Sequence, residues 1–234
     1  LYSRLNGGLL TKKGFFTMKN IHILNGQVMS NHFKQTGFLK QETMITFNEA
    51  MCFGSISGDI FSDEFIAMRA KVHNVTLTQY EDITLKPLQP LFNEEFTHVA
   101  LWFDADMFCQ INILTTLAWL DHKNHQHPIE LNIVGDQFEM LEKYTLEAKG
   151  YYALYKQVLI DKTTPHHIEP SILKKGVDIY LTYLNQDSDL MVYIRENRNV
   201  TQKKLVTLII KNFKNYGLGD NRYIKLIKKK IGRA

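Results

Sequence analysis

His98-Val-Ala-Leu-Trp-Phe103, followed directly by Asp104-Ala-Asp106, is the stretch of sequence that decides the fold. A short apolar run of this kind, closed by polar residues, is typical of a buried β-strand. After it, apolar residues between Phe108 and Ala118 recur at helical spacing as far as Asp121. A buried strand that leads into a helix is the repeating unit of parallel sheets, so this stretch predicts an α/β fold.

Three other segments have the character of strands of the same sheet. They are Asn20–Asn25, Glu42–Phe47 and Ile129–Val134. A helix over Val28–Thr36, with Gly37 as its cap, separates the first two strands and gives the β-α-β unit of a right-handed parallel crossover. Four strands separated by helices predict a largely parallel sheet covered on both faces. The expected fold class is a Rossmann-like or flavodoxin-like three-layer sandwich.

The segment between the second and third strands is predicted to be a loop followed by helices. Residues 50–61 form the loop, Ser62 starts one helix, and a second helix covers part of Leu77–Phe92. Pro87 and Pro90 are expected to interrupt the second helix, because proline lacks the N–H that a helix interior requires.

No strand pattern follows residue 136. Helices are predicted near Phe138–Lys149 and over Ser171–Leu184, Asp189–Glu196, Thr201–Tyr216 and Asn221–Ile231. We therefore expect three parts: a tag or N-terminal extension at residues 1–17, a Rossmann-like α/β domain at residues 18–136, and a smaller helical domain with a basic tail at residues 137–234. The alternative for residues 1–17 is a native N-terminal arm.

The composition is that of an ordinary folded protein. Apolar residues make up 44% of the chain and charged residues 22%, far from the composition of a disordered chain. No apolar run approaches the roughly 20 residues that span a bilayer, and the N-terminus lacks the pattern of a secretory signal. Cys52 and Cys109 are too few and too far apart for a disulfide framework or a metal knuckle. We expect a cytoplasmic protein with no membrane contact.

Polar residues follow each of the four predicted strands. They are Asn25-Gly26, Asn48-Glu49, Asp104 with Asp106, and Gly135-Asp136. Parallel strands end at one edge of their sheet, and ligands of open α/β folds bind at that edge. The sequence therefore predicts a ligand site there. The alternative is a set of ordinary solvated loops, since the loops that follow strands are polar in any case.

Asp104 and Asp106 are the most informative pair among these residues. Two carboxylates this close repel each other unless a cation or a shared proton relieves them, and their oxygens suit Mg²⁺ or Mn²⁺. The alternative is that one of them caps the helix that starts near Met107. We assign no metal ligands from the sequence, and the identity of any cofactor is left open.

Other candidate residues have structural alternatives. His22, inside the first strand, is either a catalytic residue or a core histidine, and Arg69 either pairs with an anionic ligand or is a solvated helix-surface arginine. His122, His125 and His127 indicate a solvated turn more than a metal site. The sequence contains neither of the glycine-rich motifs G-x-G-x-x-G and G-x-x-x-x-G-K-[ST], which disfavours the usual NAD and ATP sites, and it has no G-x-S-x-G elbow.

Two motifs and one arginine resemble a known family. Ile21-His-Ile-Leu-Asn-Gly26, Arg69 and Leu101-Trp-Phe-Asp-Ala-Asp-Met-Phe-Cys-Gln110 resemble the bacterial domain of unknown function (DUF) 1835 family, whose motifs read roughly H-x-x-N-G-D and L-W-F-x-x-D-x-F-D-Q. The resemblance covers about residues 20–136 and extends loosely into the helical remainder. It implies the fold and no particular activity.

Carried over residue by residue, the resemblance implies a site at seven positions. They are His22, Asn25, Gly26, Arg69, Trp102, Asp106 and Gln110. Gln27 and Cys109 stand where the family usually has acids. The loss of these two acids puts a catalytic metal site in doubt.

The first function compatible with these residues is a site for a small anionic molecule, such as a phosphate ester, at the strand ends. Asn25 and Gly26 would donate hydrogen bonds, Asp106 would hold a cation or act as a base, Arg69 would face the anion and Gln110 would orient the ligand. Whether this site is catalytic stays open.

The second function is nucleic-acid binding or regulation through the C-terminal helices. From Thr201 onward the single acid is Asp220, whereas the basic residues are Lys203, Lys204, Lys211, Lys214, Arg222, Lys225, Lys228, Lys229, Lys230 and Arg233. The turn Gly217-Leu-Gly219 between two predicted helices suggests a helix-turn-helix-like pair. The alternatives are a tail that keeps the protein soluble, and a structural or interaction domain.

Overall fold

A five-stranded sheet forms the centre of the computed structural model, which describes residues 19–94 and 96–231. The strands are β1 Asn20–Leu24, β2 Thr43–Thr46, β3 His98–Asp104, β4 Ile129–Val134 and β5 Met140–Leu146, in the order β2-β1-β3-β4-β5. The pairs β1–β2, β1–β3 and β3–β4 are parallel. This order is that of flavodoxin-like sheets, so the predicted α/β sandwich is confirmed. The predicted extension at residues 1–17 lies outside the described residues.

β5 is the main correction to the sequence prediction. Residues Phe138–Lys149 were expected to form a helix, but Met140–Leu146 is a strand that pairs antiparallel with β4 at the sheet edge. Most of its side chains are exposed, so its apolar residues do not alternate as they do in a half-buried strand. The sheet therefore continues past residue 136. The division of the chain into two domains at that point stays a prediction.

Helices account for most of the remaining described residues. They are α1 Gly26–Thr36, α2 Asp63–His73, α3 Leu77–Tyr80, α4 Lys86–Asn93, α5 Met107–His122, α6 Tyr151–Tyr155, α7 Ser171–Leu184, α8 Asp189–Glu196, α9 Gln202–Asn212 and α10 Asp220–Ile231. Residues 50–61 form the predicted loop. Among the described residues, none of the helices is long and apolar enough to cross a membrane.

Local sequence explains several helix boundaries. The Ser62 side chain accepts a hydrogen bond from the Phe65 amide and caps α2, and Gly37 ends α1 in the left-handed conformation that glycine adopts without strain. α3 and α4 are joined by a π-helical turn at Glu81–Leu85. The predicted interruption at Pro90 is wrong, because Pro90 lies inside α4, whereas Pro87 lies in the first turn of α4, directly after the π-helical turn.

The helices cover the sheet unequally. Among the described residues, α1 packs on one face, where Met29 and Phe33 meet Leu24, Ala100 and Trp102. The other face carries the larger apolar core, which extends through α5 to the C-terminal helices. Within α5 every residue from Cys109 to Leu120 is buried, although the sequence predicted one apolar face. α5 contacts β3, α6 and α7, and therefore links the sheet to the C-terminal helices.

Candidate functional site

The site begins where β1 and β3 end side by side. β1 pairs in parallel with β2 on one side and with β3 on the other, so the strand order reverses there, as at the ligand sites of open α/β sheets. The Asn25 amide donates to the Trp102 carbonyl at 2.9 Å. The Asn25 side-chain nitrogen donates to Asp104 Oδ2 at 3.0 Å. Gly26 follows with φ of 77° and starts α1. The predicted convergence of Asn25, Gly26 and Asp104 is thus present in the structure.

Asp104, Asp106 and Cys109 form the carboxylate cluster. One ligand atom of each residue, a carboxylate oxygen or the sulfur, lies within 4.8 Å of the other two. Asp106 Oδ1 accepts a hydrogen bond from the Cys109 amide at 2.8 Å and caps α5. Cys109 Sγ accepts from the Asn25 side-chain nitrogen at 3.0 Å. The capping role expected for one of the two acids therefore belongs to Asp106.

Burial controls the protonation of this cluster. It raises the pKa of Asp106 to about 6, and the negative charge of Asp104 adds to that effect. Burial also raises the pKa of Asp104, against the hydrogen bonds from Cys109 and Asn25. The Cys109 thiol is neutral, because burial raises its pKa well above the usual range. A bound cation would favour both carboxylates in their charged form.

A turn from the C-terminal helices closes one side of Asp106. Gly217 has φ of 65° and lies directly against the Asp106 carboxyl group, so that a Cβ atom at this position would be 2.1 Å from Asp106 Cγ. Only glycine leaves room for the carboxyl group in this conformation. Gly217 is therefore part of the wall of the site.

A cavity of about 480 Å³, the edge cavity, opens beside the carboxylate cluster. Its charged and amide lining residues are Asp104, Asp106, Asp136, Lys175, Lys214 and Asn215. Gly135-Asp136 was predicted to lie at this edge. Lys175 of α7 and Lys214 were not predicted as site residues, because no sequence pattern indicates that the C-terminal helices return to the strand ends.

Gln110 stabilises the backbone beside the carboxylate cluster. Its side-chain nitrogen donates to the Asp104 carbonyl at 2.9 Å, and its side chain is fully buried against Gly176. Gln110 Oε1 is buried without a hydrogen-bond partner among the described residues. The structure thus places Gln110 where it fixes the backbone of Asp104.

His22 and Trp102 belong to a different part of the sheet. Trp102 Nε1 donates to His22 Nδ1 at 3.1 Å, and both rings are buried on the face covered by α1. Burial lowers the pKa of His22, which favours the neutral ring that this hydrogen bond requires. The structure groups His22 with Trp102 rather than with Asp106, as the core-histidine alternative expects.

Arg69 is fully buried in an ion-pair network with Glu49, His73 and Tyr80. Its guanidinium donates to Glu49 Oε1 at 2.8 Å. It also donates to the carbonyls of Ala50, Phe53 and Ser55 at 2.9, 2.7 and 3.1 Å. Arg69 therefore pairs with an internal anion and holds the loop that follows β2. It is not a solvated surface residue.

Opposing effects act on Glu49. Burial would raise the pKa of this carboxyl group, but hydrogen bonds from His73 and Arg69 and the charge of Arg69 outweigh burial and lower the pKa to about 2. Sequence reasoning marked Glu49 as polar but missed His73 and Tyr80. Their spacing on two helices gives no signal until the fold brings them to Glu49.

The three histidines at the end of α5 and just after it do not form a metal-ligand group among the described residues. The rings of His125 and His127 are 5.7 Å apart, whereas His122 packs on Tyr152. In the part of the chain that the structure describes, the carboxylate cluster is the only group of three or more potential metal ligands.

Comparison with known proteins adds no relative: no protein-family model matches the chain, and neither a curated protein nor a solved structure matches it. The fold assignment therefore rests on the observed topology, and the resemblance to the DUF 1835 family stays a prediction.

Proposed function

We propose that the edge cavity binds a small phosphate ester together with a divalent cation held by Asp104 and Asp106. The observation that carries this proposal is the carboxylate cluster itself, whose ligand atoms lie within 4.8 Å of one another beside a cavity of about 480 Å³. The proposal concerns binding, and a chemical reaction of the bound ester is a separate question.

The cation half of the proposal rests on the two carboxylates. Both are partly withdrawn from water, and the pKa of each is raised by burial. A divalent cation would offset the cost of keeping two charged oxygens there. Mg²⁺ and Mn²⁺ accept one or two carboxylates and complete their coordination with water and phosphate oxygens. The Cys109 thiol stays neutral beside such an ion and donates its hydrogen bond to Asp104 Oδ2.

The phosphate half rests on the remaining lining of the edge cavity. Lys175 and Lys214 are exposed residues whose side chains line the cavity that Asp104 and Asp106 line from the strand side. Ammonium groups attract phosphate oxygens, and lysine is a common phosphate-binding residue. The cavity therefore offers carboxylates for a cation and ammonium groups for an anion.

When no cation occupies the carboxylate cluster, Asp106 is the residue we assign to proton transfer. Burial raises its pKa to about 6, and general acid–base groups work best when the pKa is near the operating pH. A carboxyl group with an ordinary pKa would be a weaker base near neutrality.

Thermal unfolding tests the proposal. Mn²⁺ or Mg²⁺ should raise the melting temperature in a saturable way, and glycerol 3-phosphate should raise it further only when the cation is present. A ligand at roughly 100 times its Kd stabilises the folded state by about 2.7 kcal/mol, which corresponds to about 5–10 °C for a chain of this size.

Two matched double variants make the assignment specific. Asp104→Asn with Asp106→Asn should remove both shifts. Asp59→Asn with Asp161→Asn, which removes two exposed acids elsewhere, should retain them. The proposal fails if no divalent ion stabilises the protein, or if the two double variants respond alike.

A further inference from the structure

α9 and α10 each present lysines on the side opposite their buried side. In α10, Tyr223, Leu226 and Ile227 are buried while Lys225 and Lys228 are exposed. The same division holds in α9. The exposed lysines of the two helices, which we call the basic face, are Lys203, Lys204, Lys211, Lys225, Lys228 and Lys229. α9 and α10 pack on each other. The basic face therefore consists of the outward sides of two neighbouring helices.

The described part of the chain does not neutralise the basic face by ion pairing. None of its six lysines takes part in an ion pair in the described ranges, 19–94 and 96–231. The only acid after Thr201 is Asp220. A surface of this kind attracts a polyanion, and the attraction falls steeply with salt.

A second cavity adjoins the basic face and carries aromatic rings. It has a volume of about 300 Å³, and Phe53, Phe108, Leu218, Asp220, Arg222 and Lys225 contribute to its lining. We call it the aromatic cavity. Lys225 belongs both to the basic face and to this cavity. A chain of phosphates that follows the basic face would therefore pass the mouth of the aromatic cavity.

The flat groups of the aromatic cavity are held in place. The Arg222 guanidinium lies 4.1 Å from the centre of the Phe53 ring, and Tyr183 accepts hydrogen bonds from Arg222 at 3.0 and 3.3 Å. Phe53 and Phe108 are half-buried, and Arg222 covers one face of the Phe53 ring, so the Arg222 plane and the Phe108 ring are the groups left for a base. Aromatic rings and guanidinium planes are the groups on which unpaired bases stack.

We propose that α9, α10 and the aromatic cavity bind single-stranded nucleic acid, with phosphates along the basic face and an unpaired base in the cavity. This binding is independent of the edge cavity. A base in a duplex is stacked and paired and cannot enter such a cavity, whereas a base in a single strand can.

The structure disfavours the predicted helix-turn-helix-like arrangement of the same helices. α9 ends at Asn212 and α10 starts at Asp220, with a short 3-10 turn between them, whereas the helix-turn-helix connection has about three or four residues. The aromatic residues nearest in sequence, Tyr216 and Tyr223, are 5% and 1% exposed and belong to the core. The aromatic residues that line the aromatic cavity are instead Phe53 and Phe108, which come from distant parts of the chain.

Fluorescence anisotropy tests the proposal on the 234-residue chain. The probes are labelled oligo(dT) and oligo(U) of about 20 nucleotides, a length that exceeds common single-strand site sizes, and a duplex of equal length. Both single strands should bind more tightly than the duplex. The triple variant Lys225→Gln, Lys228→Gln, Lys229→Gln should reduce the slope of log affinity against log salt by about 2, since each phosphate contact contributes roughly 0.7.

The matched control removes three exposed lysines elsewhere. Lys34→Gln, Lys40→Gln, Lys149→Gln changes the net charge equally and should leave the salt slope as it is. Phe53→Leu removes the ring that holds the Arg222 guanidinium and should weaken single-strand binding about fivefold or more, with duplex binding unchanged. Far-UV circular dichroism confirms that each variant is folded.

Three results would overturn the proposal. The first is equal affinity and equal salt slope for the wild type and the α10 triple variant. The second is an equal loss in the control triple variant, which would show an effect of net charge alone. The third is duplex binding as tight as single-strand binding together with no effect of Phe53→Leu. This result would show that attraction of phosphates explains the binding without the aromatic cavity.

Discussion

Asp106 combines a structural and a chemical role in one side chain. One oxygen caps α5 through the Cys109 amide, while the carboxyl group lies against Gly217 and lines the edge cavity. Asp is one of the side chains preferred at helix N-caps. Here the C-terminal turn covers the cap, and burial raises its pKa to about 6.

The first prediction concerns the pH dependence of Asp106→Asn in the absence of divalent ions. The folded-state pKa of about 6 lies above the unfolded value of 3.8, so the contribution of Asp106 to stability is fully present below pH 3.8 and is lost as the pH rises to about 6. The loss is about 3 kcal/mol, since one pKa unit corresponds to about 1.4 kcal/mol. The asparagine side chain of the variant cannot ionise, so the variant should lack this fall.

Urea unfolding between pH 4 and pH 8 measures that difference. The free energy of unfolding of the wild type, relative to that of Asp106→Asn, should decrease across the window from pH 4 to pH 6 and then stay constant. A difference that does not change with pH would show that the Asp106 carboxyl group is solvated.

The second prediction concerns Glu49, the anion that pairs with Arg69. Glu49→Gln leaves the buried Arg69 charge without its partner and should lower the free energy of unfolding by about 3–5 kcal/mol. Glu147→Gln, at an exposed position, should change it by less than about 0.5 kcal/mol. The measurement is urea unfolding at pH 7.

Acid unfolding gives a second readout for Glu49. The folded-state pKa of about 2 lies below the unfolded value of 4.5, so its stabilisation is present above pH 4.5 and is lost as the pH falls towards 2. Glu49→Gln should lack this acid-dependent loss. Equal stabilities of the Glu49 and Glu147 variants would contradict the buried ion pair.

At the residue scale, sequence reasoning located part of the site. It placed Asn25, Gly26 and Asp104 with Asp106 at one edge, because the ends of parallel strands converge there. It did not place Arg69, since a lone arginine in a helix gives no sign of a buried glutamate partner. Lys175 and Lys214 were missed because the packing of the C-terminal helices on the sheet leaves no local pattern.

At the scale of elements, the four parallel strands and most helices follow from apolar periodicity and capping residues. β5 does not, because Met140–Leu146 is an exposed edge strand whose pairing depends on β4 rather than on its own pattern. α6 was also missed; it continues directly into a π-helical turn at Lys156–Ile160, so the segment does not keep a 3.6-residue period throughout. Elements with a clear buried face were predictable, and elements defined by a neighbour were not.

The third prediction concerns the turn between α9 and α10. Gly217→Ala places a Cβ atom within 2.1–2.3 Å of the Asp106 carboxyl group and also strains a backbone with φ of 65°. It should lower the free energy of unfolding by more than the roughly 1–2 kcal/mol that the left-handed conformation costs a non-glycine residue. It should also weaken stabilisation by Mn²⁺, because Asp106 must move.

Gly37→Ala is the matched control for that turn. Gly37 has φ of 73°, and a Cβ atom added to it would have no neighbouring atom within 4 Å. This variant therefore carries the conformational cost alone and should keep the Mn²⁺ response. Urea unfolding with and without Mn²⁺ compares the two variants. Equal effects would show that the contact between Gly217 and Asp106 is unimportant.

At the scale of the whole molecule, one apolar core joins the sheet to the C-terminal helices. Leu101 of β3, Leu114 of α5, Val177 of α7 and Ile227 of α10 are all fully buried members of it. A core shared in this way couples the stability of its parts. The edge cavity depends on the coupling, because its acids come from the strand ends and its lysines from α7 and the turn before α10.

The fourth prediction is therefore a single unfolding transition. The fluorescence of Trp102 and Trp119, which lie in β3 and α5, should change with the same midpoint as far-UV circular dichroism, to which the C-terminal helices contribute strongly. Calorimetric and van't Hoff enthalpies should agree. Two separate midpoints would show that residues 137–234 unfold on their own and would favour the two-domain division.

Calorimetric titration of Mn²⁺ tests the cation site most directly. We predict one binding event per chain at neutral pH in the wild type and in Asp59→Asn with Asp161→Asn. Asp104→Asn with Asp106→Asn should show no binding heat while remaining folded. Absence of binding to the wild type, or equal binding to both double variants, would contradict the assignment of the carboxylate cluster as the cation site.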